Sequence, residues 1–353
     1  MNMQDELQKI AGEIRDFIAA DTFPASISPE YLKDAVTDYP LRGGKRLRPA
    51  LVLWSCGLLG GDIAKAFPAA AAVEIYHNWT LVHDDIIDDD DYRRGQPTTH
   101  CNLGKYAAAV LPGAGREFGR NFAILAGDIQ QGWAANTLLK SEEYGVSPAV
   151  VLAMSRRLHE QLNCELISGE ALDVEFAARD IASVSVAEVE KMLYLKTGAL
   201  LRFCVEAGAS IALNDSSYSD PRLLKLAEFA AQAGVAFQLR DDWLGIFGDA
   251  EKLGKPIGAD LTERKPTVML LKAFELLSPS GADELRNLLG SSITPEIIRR
   301  ARYLLSESGA ADYASGRAAE LSAQARENLE SFPDNCYRKL LSDLLEYLTA
   351  RSV

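Results

Sequence analysis

The sequence predicts an all-α protein, and three observations carry that reading. Apolar residues recur at spacings of three and four in "YLKDAVTDY", "AAAAVEIYHNWTLVHDDIID", "RNFAILAGDIQQGWAANTLL", "AVVLAMSRRLHEQLNCELISGEALDVEF" and "LLKLAEFAAQAGVAFQLRDDWLGIF". Alanine, the strongest helix former, is abundant throughout. Alternating patterns long enough for half-buried strands are absent. With 353 residues, 48% of them hydrophobic, the chain has material for a sizeable core and is too apolar for disorder.

The elements follow in order. "MNMQDELQKIAGEIRDF" is acidic and amphipathic, without the basic start and apolar centre of a signal peptide. "LRGGKRLRPAL" (41–51) leads into an apolar helix, with Pro49 suited to its first turn. Segments 66–82 and 197–213 are apolar almost all round, as helices inside a large bundle are. Ser147 and Pro148 start a further helix, and Ser185 with Glu188 makes a capping box. Breaks are expected at 22–29, 88–118, 214–221, 247–266 and 278–282, with a glycine-rich surface loop at 108–119. None reads as an interdomain linker, so 1–353 is expected to be a single domain.

Charge and composition exclude several functions. A net charge of −13 argues against a nucleic-acid partner, which needs a basic footprint. No apolar run reaches the roughly 18 residues of a transmembrane helix, so a cytoplasmic protein is expected. Five scattered cysteines have no zinc-like spacing and are expected to be reduced.

The chemistry concentrates in two acidic clusters. "HDDIIDDDD" carries six carboxylates, Asp84, Asp85, Asp88, Asp89, Asp90 and Asp91. Asp84 and Asp88, four apart, share a helix face and can each lend an oxygen to Mg²⁺ ions that also grip a diphosphate. "QLRDDWLGIFGD" supplies Asp241, Asp242 and Asp249. Two such acid-tipped helices facing each other would form an anionic mouth over an apolar shaft. Each cluster read alone is also compatible with a solvated helix end, because an exposed like-charge pair costs only about 0.2–0.5 kcal/mol. Basic residues stand apart from the acids. Lys45, Arg46 and Arg48 follow the Gly43–Gly44 turn, Arg93 and Arg94 follow the aspartates, and Lys196, Lys255 and Lys265 come later. Lysine and arginine beside a glycine turn suit a diphosphate. Arg93 and Arg94 could equally serve only to neutralise the aspartates. His77, two turns before Asp84, reads either as a core residue or as part of the basic set.

The motifs "GGKRLRP" (43–49), "HDDIIDDDDYRRGQPT" (83–98), "AILAGD" (123–128), "KTG" (196–198), "FQLRDDWLGIFGD" (237–249) and "GKPIGADL" with the following Lys265 and Thr267 resemble those of trans-isoprenyl diphosphate synthases, the polyprenyl synthetases. The resemblance implies one large helical bundle of the isoprenoid synthase type around a deep central cavity, usually in a homodimer. It implies head-to-tail condensation of isopentenyl diphosphate with an allylic diphosphate, with release of diphosphate. By the same resemblance, Asp84 and Asp88 bind two Mg²⁺ ions and Asp241 a third, with Asp85 and Asp242 in support. Arg93, Lys196, Lys255 and Lys265 hold the allylic diphosphate. Thr197 and Gln238 lie beside the developing cation, and Lys45, Arg48, His77 and Arg94 hold isopentenyl diphosphate. Chain length is expected to depend on Trp79 and Thr80, just below Asp84. The large Trp79 should stop the product at fifteen to twenty carbons, with geranylgeranyl diphosphate favoured over farnesyl diphosphate.

Three departures stand out: Gly245 where the second motif has its last aspartate, Glu170 where Gly169 is usually followed by glutamine, and Arg264 where glycine is common. The first is expected to loosen metal binding, the second to add a charge near the cavity, and the third to stiffen its loop. Three other readings compete. A terpene cyclase has no use for "GGKRLRP" and Arg94. An HD-type phosphohydrolase wants more histidines than His77, His83, His100 and His159 supply. A non-catalytic subunit of a heteromeric synthase is favoured only by Gly245.

Overall fold

The computed structural model describes residues 2–111, 113–249 and 257–349. The chain is all-α, as its periodicity requires, and divides into two compact units, Met1–Ser155 with Glu206–Asp220, and Arg156–Val205 with Pro221–Val353. No helix among the described residues is long and apolar enough to cross a membrane. The five cysteines are unpaired.

The first unit contains α1 (Met3–Ala19), α2 (Glu30–Leu41), α3 (Leu47–Leu58), α4 (Ile63–Ile87), α5 (Thr99–Val110), α6 (Arg116–Leu139) and α7 (Pro148–Arg156). Helix α4 is its axis and packs on α3 and α6. Its run from Ala69 to Tyr76 is entirely buried, which explains why its sequence is apolar almost all round. The break expected across 88–118 is interrupted by α5, which buries Leu103 and Ala107 against α6. Gly119 permits that approach, because a Cβ there would lie 2.1 Å from the carbonyl oxygen of His100. The turn before α5 is a small antiparallel ribbon pairing Tyr92–Arg93 with Gln96–Pro97.

The second unit contains α8 (Asn163–Ala178), α9 (Val186–Leu193), α11 (Pro221–Phe247), α12 (Val268–Leu276), α13 (Pro279–Leu288), α14 (Pro295–Glu307), α15 (Ala310–Glu330) and α16 (Cys336–Thr349); α10 (Ala199–Leu213) contributes residues to both units. Helix α11 packs on α15 and α16, and Leu239, Ile246, Leu270 and Leu305 belong to one buried cluster. The capping box at Ser185 and Glu188 is present and starts α9. Two π-helical segments, Arg157–Leu162 and Tyr194–Gly198, were not legible from periodicity.

Candidate active site

The acidic end of the first unit is built by the way α4 stops. Asp88 is its C-cap and donates its backbone N–H to the Asp84 carbonyl at 2.8 Å. Asp89 then turns left-handed at φ 58°, and the Asp90 N–H returns to the Asp85 carbonyl at 3.0 Å. This is the Schellman pattern, with aspartate in the place glycine usually takes. Asp84 and Asp88 thus keep their one-turn spacing to the last residue of the helix. Carboxylates here meet the negative end of the helix dipole, an arrangement that favours a bound cation.

Asp85 is different from its neighbour. It is fully buried and accepts hydrogen bonds from the Tyr39 hydroxyl and from Arg93. Tyr39 in turn accepts from the Thr99 N–H at 3.3 Å. Burial, followed by the bond to Asp85, pushes the Tyr39 phenol above its ordinary pKa. Arg93 also lies 3.8 Å from Asp90. The structure therefore places Arg93 on Asp85, bridging the ribbon to the helix.

A basic set lies two turns back along α4. His77 is held well below its ordinary pKa, first by burial and then by Arg48, Arg94, Arg93 and Arg46. Burial and the positive field of these arginines both disfavour a proton on its ring. Arg94 donates to the Gly43 carbonyl at 2.9 Å, and a Cβ at Gly44 would stand 2.8 Å from its guanidinium. The glycine turn and Arg94 are thus joined directly, Arg48 and Arg94 both act on His77 through their charge, and Lys45 is exposed on the same turn. Arg46 is not in that set. It is 4% exposed, pairs with Glu74, and donates to the carbonyls of Pro40 and Arg42 at 2.7 Å each. Trp79 is buried and packs edge-on against Tyr76 at 4.8 Å and against His83 at 5.8 Å. Gly127 makes room for His83, since a Cβ there would fall 2.2 Å from its Nε2. Thr80 donates to the His77 carbonyl at 2.8 Å.

The second unit has its own cluster. Lys196 and Thr197 lie on the π segment Tyr194–Gly198, a local widening of the helix of a kind frequent at functional sites. Lys196 Nζ is 2.7 Å from Glu170 and 2.6 Å from Asp173, and Lys265 Nζ is 3.6 Å from Asp173. Burial opposes charge on Asp173, but Lys265 and Lys196 outweigh it and hold the carboxyl below its ordinary pKa. Burial likewise works against charge on Lys265, yet Asp173, Asp242 and Asp260 lift it above its ordinary range. On α11, Gln238 donates to Asp242 at 3.1 Å, and the other oxygen of Asp242 is buried with no hydrogen-bond partner. Burial, then Asp260, pushes the Asp242 carboxyl up to about 7. Asp241 is half-buried beside it. Lys255 lies outside the described residues.

Three carboxylates missed by the sequence reading belong to these networks. Asp173 follows Glu170 by three residues on the same helix, a spacing that could have revealed it. Glu74 has no such signal. Asp260 lies in a quoted motif but had no role there. The Gly258 N–H reaches the Gly245 carbonyl at 2.8 Å, and a Cβ at Gly245 would lie 3.2 Å from Asp260 Oδ2. A carboxylate therefore stands next to the position where the second motif lacks one. Arg264 adopts a left-handed φ of 56°, the conformation glycine takes without strain, and its side chain lies over Gly290.

Asp84, Asp88 and Asp241 offer carboxylate oxygens, and the buried oxygen of Asp242 adds to them. Such hard donors suit Mg²⁺, whereas Asp91, at the edge of the first cluster, stands with His100 and Cys101 as a separate group of mixed donors.

Comparison with known proteins agrees with this chemistry. The polyprenyl synthetase profile matches residues 29–304. The chain is 35% identical to a geranylfarnesyl diphosphate synthase of Aeropyrum pernix, over 92% of this chain and 96% of that protein. It is also 35% identical to a geranylgeranyl pyrophosphate synthase of Geoglobus acetivorans, over 92% of each chain. Its fold matches the crystal structure of a geranylgeranyl pyrophosphate synthase from Corynebacterium glutamicum complexed with isoprenyl diphosphate and magnesium, with a TM-score of 0.85, 28% identity and full coverage of both chains. The chain belongs to the polyprenyl synthetase family.

Proposed function

We propose that the protein is a Mg²⁺-dependent trans-prenyltransferase that joins isopentenyl diphosphate head-to-tail to an allylic diphosphate, giving geranylgeranyl diphosphate and free diphosphate. One observation carries this reading: helix α4 ends in Asp84 and Asp88 and carries His77 two turns earlier, where the charges of Arg48 and of Arg94, itself bonded to the Gly43 carbonyl, are felt. A metal-dependent diphosphate and a metal-free one need these two opposite environments. The two units act as one catalytic domain, and the protein works as a homodimer. Apolar side chains exposed on α6, Ile124, Leu125 and Leu139, support a partner copy there.

In this reading Asp84, Asp88 and Asp241 would hold three Mg²⁺ ions, which when bound supply positive charge to the departing diphosphate. Lys196 and Lys265, and Lys255 from beyond the described residues, hold the allylic diphosphate. Arg93 acts with them while keeping Asp85 in place. These fixed cations favour negative charge developing on the leaving group. Thr197 and Gln238 present oxygens beside the allylic cation. Arg48, His77, Arg94 and Lys45 orient isopentenyl diphosphate so that its double bond attacks, and apolar walls keep water from the cation. The released diphosphate accepts the final proton.

Purified protein given Mg²⁺, labelled isopentenyl diphosphate and each allylic primer in turn should yield a twenty-carbon product on chromatography after dephosphorylation. Chelation with EDTA should abolish it, and added Mg²⁺ should restore it. Turnover that survives chelation would reject the reading. Trp79→Ala should lengthen the product by at least one five-carbon unit, because it removes the largest side chain one turn below Asp84. An unchanged product ladder would assign Trp79 to packing with Tyr76 and His83 alone.

A further inference from the structure

Lys196 meets more negative charge than a lysine needs. Its Nζ lies 2.7 Å from Glu170 Oε2 and 2.6 Å from Asp173 Oδ2. Asp173 is shared, since Lys265 approaches it at 3.6 Å, whereas Glu170 has no other cation within ion-pair distance among the described residues. The pairing is built in. Gly169 brings α8 against the π segment so closely that a Cβ at Gly169 would lie 2.5 Å from the Lys196 backbone nitrogen, and this seats Glu170 opposite the lysine. The second oxygen of Glu170, Oε1, is buried without a hydrogen-bond partner. Glutamine could make the same contact to Lys196 through its carbonyl oxygen, so the charge on Glu170 adds nothing that the geometry requires.

We propose that Glu170 is a positioning residue that competes with the substrate diphosphate for Lys196. It holds the ammonium while the diphosphate is absent, gives it up on binding, and takes it back when diphosphate leaves. An ammonium holds a carboxylate more strongly than a neutral amide oxygen, so each diphosphate must displace a strong partner. The cost falls on ground-state binding and the gain on release, which limits turnover in many enzymes. This rests on the proposed role of Lys196 in holding the allylic diphosphate.

The test uses the full-length protein with Glu170→Gln and Glu170→Ala. Inorganic diphosphate with Mg²⁺, titrated calorimetrically, should bind both variants about 5–10-fold more tightly, the difference expected between a charged and a neutral competitor. KM for the allylic diphosphate should fall and kcat should fall with it, while thermal melting of Glu170→Gln stays within a degree or two of the wild type. Unchanged or weaker diphosphate binding in both variants would overturn the proposal. So would a loss of Mg²⁺ affinity on its own, which would make Glu170 a metal-site residue. Lys196→Ala separates the two ideas. If it binds diphosphate as tightly as the wild type, the role given to Lys196 fails whatever Glu170 does.

Discussion

Asp84→Asn should lower turnover by about 100–1,000-fold, the range seen when one preorganised charge-stabilising group is removed from an active site. The folded state, by contrast, should lose little. Asp84 sits in the last turn of α4 with Asp85 and Asp88, at the negative end of the helix dipole. A carboxylate there costs about 0.3–1 kcal/mol, and the like-charge pair with Asp88 about 0.2–0.5 kcal/mol more. Neutralising Asp84 relieves both and gives up the attraction of Arg93 in return. Without Mg²⁺ the variant should therefore melt close to the wild-type temperature. With Mg²⁺ the wild type should gain stability by linkage, and the variant should gain much less. Melts followed by circular dichroism, with and without Mg²⁺, read out both effects. A drop of several degrees in metal-free buffer would mean that Asp84 is a structural carboxylate, and turnover within tenfold of the wild type would remove it from the metal site. The neighbouring Asp85, buried and bonded to Tyr39 and Arg93, should respond in the opposite sense, because its charge is satisfied by protein.

That contrast shows what could be read from the sequence and what could not. Spacing alone put Asp84 and Asp88 on one face, and the helix keeps that register to its C-cap. Local chemistry also gave the capping box at Ser185, because both partners lie three residues apart. The division of labour between Asp84 and Asp85 was hidden, since it depends on Tyr39, 46 residues earlier in the chain. The π segment carrying Lys196 and Thr197 was hidden for another reason. One wider turn leaves the apolar spacing of "YLKTGALL" looking helical, and only the backbone hydrogen bonds reveal it. Asp260 faces Gly245 through a turn docked by the Gly258 N–H, a contact that no local pattern encodes. Arg46 and Arg48 look alike in "GGKRLRP", yet Arg46 is a buried ion-pair partner of Glu74 while Arg48 is only half-buried.

Glu74→Ala should be the most destabilising single change in the first unit. The Arg46 side chain is 1% exposed and that of Glu74 is 5% exposed. With Glu74 gone, the guanidinium keeps the Pro40 and Arg42 carbonyls among the described residues, and its charge loses its buried counter-ion. Removing one member of such a pair costs about 3–5 kcal/mol, a large part of the roughly 5–15 kcal/mol that keeps a domain folded. The melting temperature should fall by several degrees or more. The damage should also be directional. Arg46 turns left-handed at φ 49° immediately before α3, and it ties the 40–46 segment to α4. Arg48 and the Gly43–Gly44 turn hang from that segment, so KM for isopentenyl diphosphate should rise more than KM for the allylic substrate. The double variant Arg46→Met with Glu74→Leu removes both charges and refills their volume, and it should recover most of the lost stability. If it melts no higher than Glu74→Ala, the cost lies in packing around Glu74 rather than in the stranded charge of Arg46.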